Sequence, residues 1–148
     1  TITDSDIPVA DLPDGAGRVR VIAGEFNGRK GPARTFTPIN LWDVKLNRDA
    51  AVTFDLPKGH TTMLVVVAGR IIVNGTQDAG EAEMVLLDRD GDGATIDASS
   101  DAIVLVLTGE PIDEPIVGYG PFVMNNEAEI RQAVEDFNAG RFGAIVHA

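Results

Sequence analysis

The sequence predicts an antiparallel β-sandwich or barrel that ends in one α-helix. Short alternating or apolar runs, each bounded by turn residues, recur at intervals of about ten residues from Arg18 to Gly109. No helical periodicity separates these runs, which favours antiparallel strands over the parallel sheet of an α/β protein. A helical period occurs only after residue 125.

Eight runs account for the predicted strands, and several show the period of two that places alternate side chains on one face. In "AVTFDLP", the apolar residues Val52, Phe54 and Leu56 fall on one face. "RIIVNG" closes on Asn74-Gly75, a pair suited to a two-residue hairpin because both residues tolerate positive φ. In chain order the runs are "RVRVIA", "INLWDVKL", "AVTFDLP", "TTMLVVVAG", "RIIVNG", "EAEMVLLD", "GATIDA" and "DAIVLVLTG".

The chain changes character after the last predicted strand. Residues 110–124, "EPIDEPIVGYGPFVM", contain three prolines and two glycines, which exclude a central strand or a helix and predict an ordered, extended loop. Asn126 followed by Glu129 fits a helix N-cap with a capping box. Apolar residues then repeat at helical spacing until Gly140, so we expect a helix over residues 126–139; the repeat consists of Ile130, Ala133, Val134 and Phe137.

Composition limits the size of the protein and its partners. The 148 residues fit one globular domain, 1–148, and the longest apolar stretches, "MLVVVA" and "AIVLVL", are too short to span a membrane. Twelve basic and 23 acidic residues give a formal net charge of -11, which argues against direct nucleic-acid binding because a phosphate backbone would be repelled. The absence of cysteine excludes disulfides, thiolate catalysis and cysteine-ligated metal sites.

The stretch "LLDRDGDGATIDASS" begins like a calcium-binding loop. Such a loop needs oxygen ligands at positions 1, 3 and 5, glycine at 6 and a bidentate Glu at 12. Asp88, Asp90, Asp92 and Gly93 satisfy the first half, but the twelfth position is Ser99. Because the flanking runs are strand-like, we predict an acidic hairpin turn instead of a calcium site.

Three further groups of residues carry candidate chemistry. The loop "GEFNGRKGPAR" is basic and glycine-rich but lacks the Gly-Lys-Ser/Thr ending of a phosphate-binding loop, so we interpret it as a solvated loop between strands. His60 would need Ser99 or Ser100 and a carboxylate for a nucleophilic triad, yet there is no G-x-S-x-G motif. His147 is expected to be frayed at the terminus or held by crystal or partner contacts. Paired carboxylates of a glycosidase could come from a third group, which we interpret as solvated: Glu110, Asp113 and Glu114.

The stretch "GEPIDEPIVGYGPFVMNNEAEIRQAVEDFNAGRFG" resembles the C-terminal end of the pirin family, in which Gly-Glu-Pro, Glu-Pro and Gly-Pro-Phe-Val-Met-Asn runs lead into a closing helix. The resemblance extends back through "IPVADLPDGAGRVRVIAGEFNGRKGPARTFTPINLWDV" and "LPKGHTTMLVVVAGRIIVNG", and it covers residues 5–143. Pirins are two-domain cupins, so the resemblance implies a cupin-type jelly-roll β-sandwich with a partner domain upstream of Thr1. The first residue, which is not Met, agrees with that expectation.

The resemblance also implies where a metal would lie. In pirins the N-terminal cupin holds one iron through three histidines and a glutamate, while the C-terminal cupin normally has no metal. Counting back from Gly69 along the metal-binding cupin pattern puts Thr62 at the glutamate position and the two spaced histidines within residues 55–58, "DLPK". His60 is out of register, so we expect no cofactor in this chain, with iron in the absent N-terminal cupin of the parent.

We therefore expect the metal-free structural half of a pirin-like protein, from a cytoplasmic parent that is either a quercetin 2,3-dioxygenase-like enzyme or a transcriptional coregulator. The expected partner is the N-terminal cupin domain, with a homo-oligomer through exposed apolar surface at Phe122, Phe137 or Phe142 as a further possibility. Two alternatives stay open. One is a free-standing small-molecule or sugar-binding jelly roll. The other is a metal-independent isomerase that uses His60.

Overall fold

The structure is a computed structural model that describes residues 1–145. It divides into two units, one comprising Thr1–Pro111 and the other beginning at Ile112. The strands of the first unit are β1 (Val9–Asp11), β2 (Gly17–Ala23), β3 (Glu25–Phe26), β4 (Arg29–Lys30), β5 (Ile39–Leu46), β6 (Ala51–Asp55), β7 (Thr61–Ala68), β8 (Arg70–Val73), β9 (Gln77–Gly80), β10 (Met84–Leu87), β11 (Gly93–Ala98) and β12 (Ala102–Gly109). The second unit contains β13 (Val117–Tyr119), β14 (Phe122–Met124) and α1 (Glu127–Asn138).

The first unit is a sandwich of two antiparallel sheets. The six-stranded sheet has the order β1-β2-β5-β12-β7-β10, and the four-stranded sheet has the order β6-β11-β8-β9. Strands that follow one another in the chain often lie in different sheets, as in a jelly roll, so most of the pairings join residues far apart in sequence. The all-β jelly-roll prediction with one C-terminal helix is confirmed.

The space between the two sheets is filled by aliphatic and aromatic side chains. Alternate residues of every long strand are buried, as the period of two predicts, and Val52, Phe54 and Leu56 are all less than 9% exposed. Burying side chains of this size contributes about 1.5–3 kcal/mol each. The largest fully buried side chains come from both sheets: Phe54, Leu64, Ile71, Ile96, Val19, Val21, Val44, Val66, Val73, Val104 and Val106.

All eight predicted strands are present, and Asn74 and Gly75 turn the chain between β8 and β9 with positive φ at both residues. The predicted two-residue hairpin needs correction, because Val73 pairs with Gln77 and the loop has three residues, 74–76. Two three- or four-residue strands, β1 and β9, were not predicted because they are short and β9 contains no β-branched or aromatic residue. The helix is confirmed as α1, with Asn126 Oδ1 accepting a hydrogen bond from the Glu129 backbone N–H at 3.0 Å. The Glu129 carboxylate reaches the backbone N–H of Asn125 rather than that of Asn126.

Three loop predictions need correction. The turn after β10 is not a hairpin, because β10 pairs with β7 in one sheet while β11 pairs with β6 and β8 in the other, so the acidic residues cross between sheets. The basic loop contains the ribbon β3–β4, turned by Asn27 and Gly28 at positive φ. The stretch 110–124 is extended only in its first half, since β13 and β14 form a second ribbon around Gly120.

None of the helices within residues 1–145 is long and apolar enough to cross a membrane.

Candidate functional site

The end of the sandwich where β6 leads into β7 contains His60. His60 is partly buried, and its Nδ1 lies 3.0 Å from Thr108 Oγ1. Thr108 on β12 faces Thr62 on β7 in register, and these two threonines are 2% and 4% exposed. A cavity of about 260 Å³ opens here, lined by His60, Thr62 and Leu56 among others. The arrangement can hold a polar group by hydroxyl and imidazole hydrogen bonds.

The inward positions at this end can be compared with the donors that an iron site of three histidines and one glutamate needs. Leu56 and Thr62 are buried and point between the sheets, whereas Asp55, Pro57 and Lys58 are exposed. An aliphatic side chain and a neutral hydroxyl thus occupy inward positions where a metal cupin needs imidazole or carboxylate. The residues present do not fit a site of three histidines and one glutamate.

The remaining donors give the same answer. Within residues 1–145 no three His, Cys, Asp or Glu side chains come together in a group that could hold a metal ion. The expectation that this barrel is metal-free stays a prediction.

The backbone conformation requires glycine at position 69, independently of any metal-binding pattern. The φ of Gly69 is +81°, and a Cβ there would lie 2.2 Å from the Asp101 carbonyl oxygen.

A larger cavity lies at the side of the sandwich where β6 forms the edge of its sheet. Its volume is about 670 Å³, and its apolar lining includes Trp42 and the half-buried Phe26, whose rings meet edge to face with centroids 5.0 Å apart. The indole Nε1 of Trp42 is buried and has no hydrogen-bond partner among the described residues. The charged side chains of the lining are mostly acidic: Asp14, Glu25, Asp49, Asp55 and Arg48.

Sequence reasoning did not identify this cavity or the role of Thr108. Phe26 was the available signal for the cavity, because one aromatic residue in the polar loop "GEFNGRKGPAR" indicates a side chain that reaches the core. The signal for Thr108 was its position in "AIVLVLTG". The alternation of this strand places Thr108 inward, where the other inward side chains are apolar and Thr108 carries a hydroxyl group. A buried hydroxyl needs a partner, and His60 supplies it.

The other residues singled out in the sequence are not brought together. Asp88, Asp90 and Asp92 are exposed in the crossing between sheets. Ser100 Oγ accepts a hydrogen bond from the Arg70 backbone N–H, so it is engaged away from His60's partner Thr108. Of the three carboxylates after β12, Glu114 accepts a hydrogen bond from the side-chain amide of Asn125. His147 lies outside the described residues.

The pKa of Asp6 is lowered because the backbone N–H of Thr3 and then the Thr3 hydroxyl donate hydrogen bonds to its carboxylate.

In the second unit, Phe122, Phe137 and Phe142 form a cluster with ring centroids 6.1–6.3 Å apart. Phe137 and Phe142 are each 61% exposed, as the expectation of an apolar surface requires. No partner is established for this cluster.

Comparison with known proteins agrees with the geometry. Residues 41–143 match the family model described as the pirin C-terminal cupin domain. The chain is 51% identical over 142 residues to a Pseudomonas aeruginosa protein provisionally named a quercetin 2,3-dioxygenase, and 35% identical over 131 residues to human pirin. These alignments cover 96% and 84% of this chain but 49% and 44% of the relatives.

A solved structure gives the same result at the level of the fold. The crystal structure of a quercetin 2,3-dioxygenase from Acinetobacter baumannii superposes with a TM-score of 0.89 at 46% identity, covering 98% of this chain and 50% of that one. The chain therefore spans about half the length of the relatives that it matches. With its two-sheet sandwich, its closing helix and these matches, the chain belongs to the pirin family and corresponds to its C-terminal cupin domain.

Proposed function

We propose that this chain is the metal-free scaffold half of a two-domain pirin-like protein whose other half holds the iron. The observation that carries the proposal is the donor set at the end of the sandwich, where Leu56 and Thr62 occupy the inward positions and His60 is hydrogen-bonded to Thr108. The relatives' length supports the second half, because this chain matches about 49% of one and 44% of another.

The parent activity is proposed from the relatives. The names of the Pseudomonas aeruginosa and Acinetobacter baumannii proteins favour a quercetin 2,3-dioxygenase-like enzyme, and the match to human pirin keeps a transcriptional coregulator as the other form of the proposal. In either form, this chain is a rigid domain that lies beside the iron-binding half. Its packed interior supports a rigid role, because close-packed cores deform little.

Metal stoichiometry tests this proposal. The two-half protein is made by placing the unmatched half of the Pseudomonas aeruginosa relative ahead of Thr1, and its iron, nickel and manganese contents are measured by mass spectrometry. We expect one metal ion per chain, unchanged in the variant His60→Ala and in the control Thr53→Ala. Two ions per chain, falling to one only in His60→Ala, would contradict the proposal.

A second candidate function has an observation of its own. The cavity of about 670 Å³ combines two aromatic side chains with several carboxylates, which is suited to a small polyol or sugar that stacks on a ring and donates hydrogen bonds. Trp42 is the single tryptophan of the chain, so its fluorescence reports on the cavity. Saturable quenching by a monosaccharide, lost in Asp49→Asn and kept in Asp88→Asn, would support this function, and unchanged emission would exclude it.

A further inference from the structure

The two sheets of the sandwich present different outer faces to the surroundings. Outward side chains of the four-stranded sheet are mostly polar or small: Ala51, Thr53, Asp55, Arg70, Ile72, Asp78, Thr95 and Asp97. Outward side chains on four strands of the six-stranded sheet form what we call the aliphatic face: Leu41, Met63, Val65, Met84, Leu86, Ile103, Leu105 and Leu107. A sheet that faced water on this side would alternate apolar and polar residues.

The strand register makes the aliphatic face continuous. Leu41, Leu107, Met63 and Leu86 are paired across β5, β12, β7 and β10 and form one row. The next row contains Leu105, Val65 and Met84 in the same way. Met84 is 58% exposed and Leu86 is 62% exposed, so the face is open where β10 ends the sheet. Monomeric proteins rarely expose contiguous apolar surface of this kind without a partner.

Charged residues border the aliphatic face on the opposite side. Asp43 extends the row of Leu105 and Val65 onto β5, and its Oδ2 accepts a hydrogen bond from Arg20 Nη1 on β2 at 2.9 Å. The other carboxylate oxygen of Asp43 is buried and has no hydrogen-bond partner among the described residues. Arg20 also pairs with Asp4 in the first turn of the chain. An apolar centre with a polar border is the usual composition of a protein–protein interface.

We propose that the aliphatic face is the surface against which the other half of the parent protein packs. The length of the relatives argues for this occupant, because this chain matches about half of each and the matched family model is described as a C-terminal domain. The segment that would follow that half is already fixed beside the face, since Asp4 is held by Arg20 and Val9 pairs with Arg20 in the same row. A linker entering there would bring the two halves together at little cost in loop entropy.

This inference rests on the proposed two-half arrangement, but it concerns a surface and not a metal. Its failure and the failure of the proposed function are therefore distinguishable. A metal ion bound by the barrel would contradict the scaffold role but not the docking surface. An accessible aliphatic face in the two-half protein would contradict the docking surface but not the scaffold role.

Methionine oxidation tests the docking surface, because Met84 and Met63 both lie on it. Peroxide oxidises accessible thioether sulfur, so we expect Met84 to react about tenfold more slowly in the two-half protein than in the 148-residue chain. The matched control is Thr53→Met, which places a methionine on the polar outer face of the other sheet and should react at similar rates in both proteins. Peptide mass spectrometry gives the rates.

A charge on the aliphatic face gives the second arm. Leu86→Asp alters a side chain that is already 62% exposed, so the sandwich should fold as before. In the two-half protein we expect it to restore rapid oxidation of Met84, whereas Thr53→Asp should not. Equal Met84 rates in the isolated chain and the two-half protein would overturn the proposal. Protection of Met84 in the isolated chain that increases with concentration, together with a dimer mass, would assign the face to a second copy and also overturn it.

Discussion

Two side chains set the chemistry at the His60 end of the sandwich. Leu56 and Thr62 are both buried, and Thr62 pairs with Leu87 of β10. Neither side chain is a metal ligand of the imidazole or carboxylate type, and the imidazole of His60 lies against the Thr108 hydroxyl. The buried Thr108 hydroxyl then serves the fold, because a buried polar group without a partner destabilises it.

Thr108→Val tests this assignment. Valine keeps the shape of threonine but removes the hydroxyl that His60 Nδ1 contacts, so the free energy of unfolding should fall by about 1 kcal/mol. Urea denaturation measures it. The control Thr53→Val removes the exposed hydroxyl that lies 2.9 Å from Thr95 Oγ1 and should change stability by less than about 0.5 kcal/mol. Equal effects from the two substitutions would show that the buried contact adds nothing.

At the scale of the elements, α1 is fixed at its N-terminus by a side-chain cap. Asn126 has extended backbone dihedrals, and its Oδ1 receives the Glu129 N–H at the positive end of the helix. Ile130 and Ala133 are the buried residues of the helix, so two side chains provide its buried contacts within the second unit. The cap should therefore contribute a large share of the helix's local stability.

Asn126→Ala should accelerate amide hydrogen exchange in α1 about fivefold, because loss of an N-cap costs about 1 kcal/mol. Asn126→Asp is the matched control, since it keeps an oxygen acceptor and adds a favourable charge at the helix N-terminus. Exchange in α1 that is identical in the wild type and Asn126→Ala would contradict the role of the cap.

Long alternating strands such as β5, β7 and β12 could be read from the sequence, because one buried face imposes a period of two. The partners of each strand could not. "EAEMVLLD" and "GATIDA" look like a hairpin around an acidic turn, yet long-range packing places β10 and β11 in different sheets. The inward position of Thr62 was predictable by counting from Gly69, whereas its neighbour Thr108 is 46 residues away in sequence and required the structure.

At the scale of the whole molecule, the sandwich has a close-packed interior and two outer faces that differ in composition. The interior is filled from both sheets, which argues against a large ligand between them, and the cavity beside β6 is larger than the one at the His60 end. The outer faces differ in the same unit, one polar and one aliphatic. This combination supports the proposed scaffold role, which needs a close-packed core and an apolar surface for a partner.

Our proposal that this cupin lacks the donors for a transition metal is tested by metal binding to the purified 148-residue chain. The chain is incubated anaerobically with iron(II), nickel(II) or manganese(II) and desalted, and the bound metal is measured by mass spectrometry. The account predicts far less than one equivalent of each, with no difference between the wild type and His60→Ala. One equivalent of a metal ion bound by the wild type and lost in His60→Ala would contradict it.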